Sequence, residues 1–321
     1  MTTPTIPSQA EPQQIDAALS IAASFLVLTV ARDAASLSTV RSVLGDLDGL
    51  IKNVLVRDVT GTFTCNVGIG ADVWGPLVGT PLPAELHPFR EIRGATHVAV
   101  STSGDLLFHI RAKSIDLIVA FEQMLLEALE GTVAAMDEVA GFRYFDGRDL
   151  LDFVDGTANP VGLALPASTI VGEEDPGHAG GSYVVVQKYL HDLPAWKSLS
   201  TEAQEQIIGR KKFTNTELPD ASEAEQKSHK TLCTITQDGI EHDILRDNMP
   251  FARPALKEYG TYFIGYSRHL WVIEQMLERM FIGSPPPLHD RILDFSTAVT
   301  GIAFFVPSKD MLAQLDSAQT Q

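Results

Sequence analysis

The chain is poor in cysteine and in positive charge, and it has no long apolar run. Two cysteines in 321 residues give no disulfide framework, and without a Cys-x-x-Cys pair neither a zinc knuckle nor an iron–sulfur cluster is expected. Cys65 and Cys233 lie in alternating or β-branched runs and read as small buried strand residues. Lys and Arg number 24 against 41 Asp and Glu, a net charge of −17. That balance repels nucleic acid and anionic membranes, so neither is expected as a partner. The first 20 residues hold no Lys or Arg, and the apolar run from Ala18 to Val30 covers only 13 residues. A signal peptide needs a basic start, and a membrane span needs about 20 apolar residues. The expectation is a cytoplasmic protein with a loose N-terminal arm (1–20) and a flexible tail (311–321).

What is present is enough apolar residue, 45%, for a full core. Phe25–Val30 is a short buried strand, and Leu37, Val40, Val43, Leu44 and Leu47 follow at helical spacing. Thr64–Gly70, Thr96–Val100 and Leu106–Ala112 read as strands, Ser114 caps a long helix, and a last strand follows Gly131. The order β-α-β-β-α-β predicts a ferredoxin-like half over 21–145. A second half over 182–310 repeats it, from SYVVVQKYL to GIAFFVP, and the tetrapeptide EQML recurs at Glu122–Leu125 and Glu274–Leu277 after a strand in each half. The fold class is therefore α+β: two ferredoxin-like halves whose antiparallel sheets pack face to face, with a cavity in the C-terminal half. The segment 146–181 between them is long, aperiodic and rich in Gly, Pro and Asp, a place where function concentrates.

Chemistry-bearing residues stand in four runs. DGRDLLDFVDGTANP spaces its aspartates by three, which does not suit a calcium loop needing every second position. Taken alone, it reads equally well as a polar turn. Eight of nine histidines read as lone structural residues. His229, in EAEQKSHKTLC, follows a charged loop at the entry to a β-branched segment, and no second His or Cys is expected beside it at chelating spacing such as i+4 on a helix. A protein-only zinc site is thus poorly supported, whereas a single axial His is all that haem iron requires. In HDILRDNMPF, Arg246 and Asn248 are two apart and share one face of a strand, unless Arg246 merely pairs with Asp243 or Asp247 on the surface. In LHDRILDF, Asp290 and Asp294 are candidate carboxylates for the second nitrogen of a ligand His, or else helix caps.

Together, GFRYFDGRDLLDFVDGTANP, GGSYVVVQKYLHDL with QEQIIGRKK, QKSHK, ILRDNMPF and DRILDFSTAVTG resemble the dye-decolourising peroxidases, most closely the bacterial class B group, in order and spacing across nearly the whole chain. The resemblance implies one haem b per chain, with His229 as axial ligand to the iron. It implies Asp155, Arg246 and Asn248 as catalytic residues. Gly156, Thr157 and Arg246 would line the haem, Arg210 would meet a propionate, and Asp290, in preference to Asp294, would pair with His229. It further implies reduction of hydrogen peroxide through a ferryl state, at the expense of dyes, phenols or other one-electron donors. One position departs from the family's Gly-x-x-Asp-Gly: Asp152 stands where glycine is usual, and Asp can still adopt left-handed geometry. Tyr144, Tyr189, Trp196 and Trp271 are electron-relay candidates by residue type alone. A homo-oligomer is expected, and the tail has no clear peptide for docking into a protein shell. The alternative reading is a non-catalytic haem-binding or storage protein.

Overall fold

The computed structural model describes residues 10–58 and 60–317. The N-terminal half runs β1 (Ala22–Val30), α1 (Ala34–Gly45), α2 (Leu47–Leu55), β2 (Thr64–Gly70), α3 (Ala71–Leu77), the small hairpin β3 (Ile92–Arg93) and β4 (Val98–Ala99), β5 (Leu106–Ala112), α4 (Ile115–Ala128) and β6 (Val133–Phe142). After the connecting segment, with its short helix α5 (Ala164–Thr169), come β7 (Ser182–His191), α6 (Leu193–Lys197), α7 (Thr201–Ile208), α8 (His229–Leu232), the hairpin β8 (Ile235–Gln237) and β9 (Ile240–His242), β10 (Leu245–Arg246), β11 (Met249–Arg253), β12 (Glu258–Ser267), α9 (Leu270–Phe281), β13 (Ser296–Ala298), β14 (Ile302–Val306) and α10 (Lys309–Ser317).

Local chemistry accounts for these elements. The Asp33 carboxylate accepts from the Ser36 amide and caps α1, whose Leu37, Val40 and Leu44 turn inward at helical spacing. Ser200 caps α7 in the same way, and Gly209, at φ 91°, ends it. β1 is buried on both faces and so reads as a continuous apolar run. Its Ala22, Leu26 and Leu28 pack under the helices. Ala23, Phe25 and Val27 point the other way, into a second core shared with Val184, Tyr262, Ile264 and Phe304 of the C-terminal half.

Within the N-terminal half the strands lie in the order β6-β1-β5-β2, and within the C-terminal half as β14-β7-β12-β10, all antiparallel. This is the ferredoxin-like order in both. The halves face each other, with Phe25 stacked on Tyr262 at 4.2 Å. They are also joined along one edge, because β14 pairs with β2 and makes a single ten-stranded sheet. Burial of a side chain such as Phe25 between them contributes roughly 1.5–3 kcal/mol. The two EQML copies sit in α4 and α9, each leading into the last strand of its half.

The chain ends differ from the loose arm and tail expected. The Gln13 side chain is buried, donating to the carbonyls of Val67 and Pro307 while accepting from the Val67 amide. Its carboxamide bridges β2 and the end of β14 beyond their paired residues, which composition does not reveal. The tail begins as α10, which buries Leu312 and Leu315 against the core. The remainder of both termini, 1–9 and 318–321, lies outside the described residues.

Candidate active site

A cavity opens between the connecting segment and the C-terminal half. One wall is apolar, with Ile244, Phe263, Ile273, Met276, Leu277 and Met280. His229, Asp155, Arg246, Asn248, Arg210 and Thr157 all line it, so residues spread over 94 positions converge in one space.

His229 opens α8, whose N-cap is the Ser228 hydroxyl. Its Nδ1 lies 2.6 Å from Oδ2 of Asp290, a fully buried carboxylate. The other oxygen of Asp290 accepts from the Ile292 amide, and its own amide donates to the Met280 carbonyl. Asp290 therefore has one orientation, and Nδ1–H of His229 has one acceptor. Burial alone would lower the pKa of this imidazole; Cys233 and Asp290 beside it outweigh burial and raise it well above the ordinary value. Cys233 corrects the expectation of no Cys at i+4 from His229, and it is half-buried in a helix cap, not a buried strand residue. It caps the C-terminus of α8, one helical turn beyond His229, with its sulfur 3.6 Å from Nδ1 and 3.8 Å from Nε2. Asp294 is not a partner of His229; it accepts from His97 and His289.

At another wall the connecting segment meets β10. Asp155 accepts from the Gly156 amide at 2.6 Å and from Nδ2 of Asn248 at 3.0 Å. Asn248 in turn accepts from the Ile264 amide. β10 and β11 break at Asp247–Asn248, and the Asn248 carboxamide takes the place of the missing ladder contact to β12. The inward alternation survives the break. Arg246 and Asn248 face the cavity, while Asp247 is buried against Arg111 at 3.1 Å, so the surface pairing with Arg246 does not form. Gly156, at φ 71°, lets the chain turn tightly beside Asn159. Asp152 holds φ 76° without glycine, and its carboxylate reaches Lys212 at 3.2 Å. Arg148 ties this loop down by donating to the carbonyls of Asp152 and Lys212.

Arg210 pairs with Glu217 and donates to the Asn215 carbonyl, placing its charge at the cavity rim. Of the relay candidates, Trp196 is sealed in the core with its indole donating to the Leu151 carbonyl, Tyr189 is a buried cavity residue, Tyr144 is half-buried and Trp271 packs on His242 and His269.

Sequence reasoning missed three cavity features. Asn159 accepts from the Arg246 amide at 2.9 Å and donates to its carbonyl at 2.7 Å, pinning that residue as a neighbouring strand would. In the sequence Asn159 reads only as part of the polar turn in DGRDLLDFVDGTANP. Asp149 lines the cavity, and burial, reinforced by the charge of Asp155 against a bond from the Phe153 amide, pushes its pKa up from 3.8 to about 7. His191 is held between Ser296 and Thr261, and burial lowers its pKa to about 4. Behind Asp155 and Arg246 a second cavity of about 630 Å³ shares those residues and is bordered by Arg143, Tyr144 and Arg148.

An apolar slot with one carboxylate-fixed imidazole, a separate Arg/Asn/Asp group and a cationic rim suits a planar anionic prosthetic group that takes a single nitrogen ligand. Fold and cavity together define an oxidoreductase built around such a group. The family models for the Dyp-type peroxidase N-terminal and C-terminal regions match residues 12–143 and 146–311. A dye-decolorizing peroxidase of Mycolicibacterium paratuberculosis is 51% identical over 303 residues, 94% of this chain and 85% of that protein. A variant of DypB from Rhodococcus jostii RHA1, solved in complex with haem, superposes with a TM-score of 0.92 at 49% identity, covering 96% of this chain and 100% of that one. The encapsulated DyP-type peroxidase from Mycobacterium smegmatis superposes with a TM-score of 0.90 at 49% identity, covering 96% and 98%. The chain belongs to the Dyp-type peroxidase family, and it is a haem-dependent, dye-decolourising peroxidase.

Proposed function

We propose that His229 would hold the haem iron, and that Asp155, Arg246 and Asn248, which line the same cavity, act on hydrogen peroxide. Haem, when bound, supplies the redox chemistry. Asp290 fixes the Nδ1–H tautomer of His229 and strengthens the imidazole as a donor. Arg246 stabilises negative charge developing on an oxygen of hydrogen peroxide. Asp155 takes the proton from one peroxide oxygen at its carboxylate and delivers it to the other. Asn248 holds Asp155 in position. Arg210 meets a propionate at the rim, while Gly156 and Thr157 line the haem edge.

The observation that carries this reading is that Asn159 holds the Arg246 backbone and Asn248 holds the Asp155 carboxylate, so both residues line the cavity that also holds the His229–Asp290 pair. A carrier or store of haem has no use for it. Of the two distal residues, Arg246 carries more of the rate. Stopped-flow spectra with hydrogen peroxide test this: Arg246→Ala slows the peroxide-induced change more than Asp155→Ala, and the reverse order refutes it.

The electron donors on this reading are dyes, phenols or other one-electron reductants. A homo-oligomer is supported by exposed Ile115, Val119 and Leu126 along α4. A cytoplasmic location, with packaging inside a protein shell, is supported by the encapsulated relative. Among the described residues, no helix is long and apolar enough to cross a membrane.

A further inference from the structure

His97, from the β3–β4 turn, meets His289 and Asp294, from the stretch 289–294, beside the haem cavity and outside its lining. His97 sits in the tight turn between β3 and β4. His289 precedes Asp290, and Asp294 ends the short 3-10 helix Arg291–Asp294. Nε2 of His97 is 3.0 Å, and Nε2 of His289 is 2.9 Å, from the same atom, Oδ1 of Asp294. The two rings stand at 72° with centroids 4.7 Å apart, and all three potential ligand atoms lie within 4.8 Å of one another.

We propose that these three side chains form a binding site for a divalent first-row transition ion of the zinc type, with water completing the shell. A tetrahedral ion with bonds of about 2.0–2.1 Å holds its ligand atoms ~3.3 Å apart, so both His–Asp contacts need open by only a few tenths of an ångström. Two imidazoles and one carboxylate suit zinc or copper; magnesium and calcium want oxygen alone. Neither ring's Nδ1 has a protein partner among the described residues, so each His can move its proton to Nδ1 and free Nε2 at the cost of only its bond to Asp294. The side chains are 20–33% exposed, which leaves the ion a way in. Arg291 lies 3.6 Å from Oδ2 of Asp294, the carboxylate oxygen that neither His contacts, and is half exposed.

The site has a structural consequence. Gly94, at the base of the β3–β4 turn, abuts the Phe281 carbonyl at the end of α9; a Cβ there would lie 1.8 Å from that oxygen. A bound ion fastens this N-terminal turn to residues 289–294, the stretch that carries Asp290 and so orients His229.

Tag-free holoenzyme, stripped with chelator and dialysed against zinc, tests the proposal. Elemental analysis is expected to find one zinc per chain, and zinc is expected to raise the thermal midpoint. His97→Gln and His289→Gln each weaken zinc binding more than ~100-fold, above the 10–100-fold that loss of an outer partner costs. Both keep their haem content and lose the zinc-dependent rise. Copper(II) bound to the wild-type holoenzyme shows hyperfine splitting from two imidazole nitrogens by electron paramagnetic resonance, which decides the matter if a variant fails to fold. No saturable zinc binding, zinc retained by both variants, or a copper spectrum without two nitrogens overturns the site.

Discussion

Asn159 lines neither of the two cavities, yet it makes two hydrogen bonds to the backbone of Arg246, a cavity residue 87 positions away. If Arg246 stabilises charge in the peroxide reaction, Asn159→Ala slows that reaction without altering the cavity lining. A net hydrogen bond is worth about 0.5–1.5 kcal/mol, and leaving a buried partner unsatisfied costs about 1–3 kcal/mol. Arg246 is only half-buried, so water recovers part of the loss, and ~1–2 kcal/mol of positioning energy remains. That corresponds to a rate loss of about 5–30-fold. The ceiling is the ~10²–10³-fold that removal of a transition-state donor costs, which Arg246→Ala reaches. Asn159→Asp keeps the acceptor and loses the donor, and falls between. The assay is the second-order rate of the peroxide-induced spectral change by stopped flow, for both single variants and the double. A residue acting only through Arg246 adds nothing once Arg246 is gone, so the double variant matches Arg246→Ala. Wild-type speed in Asn159→Ala, or a double variant slower by the full factor of both, refutes the reasoning.

Asp290→Asn leaves His229 without its carboxylate partner and lowers haem affinity or peroxide reactivity about 10–100-fold, read by haem titration and stopped flow. Asp149 has a folded pKa of about 7, above its unfolded value of 3.8. The folded chain therefore holds a proton that the unfolded chain lacks between about pH 4 and 7, and stability falls as pH rises through that window. Asp149→Asn removes that slope, measured as urea midpoints across pH in wild type and variant; an unchanged slope contradicts the assignment. Arg111→Met strands the buried Asp247 and costs about 3–5 kcal/mol in chemical unfolding, while Arg111→Met with Asp247→Leu recovers most of it.

Periodicity made both halves legible, because strands buried on two faces and helices buried on one leave plain patterns. It could not reveal that β14 joins the halves by pairing with β2, since that contact is a matter of backbone register. Taken singly, His229, Arg246 and Asp155 each stay near a bland reading, and only their joint order along the chain raises them. Cys233 was read as a strand residue because its neighbours are β-branched; the Ser228 cap overrides that preference and starts a turn of helix. Asn159, Asp149 and the pair His97–His289 gave no local signal. Their partners lie far away in sequence or, for Asp149, their chemistry comes from burial alone.

The central claim is that His229 ligates haem iron in this cavity. The absorption spectrum of purified protein, with and without hydrogen peroxide, beside His229→Ala, tests it most directly. The account predicts a Soret band in the wild type that shifts on adding peroxide, and loss of haem or of that response in His229→Ala. An unaltered Soret band and an unaltered peroxide response in the variant would contradict it.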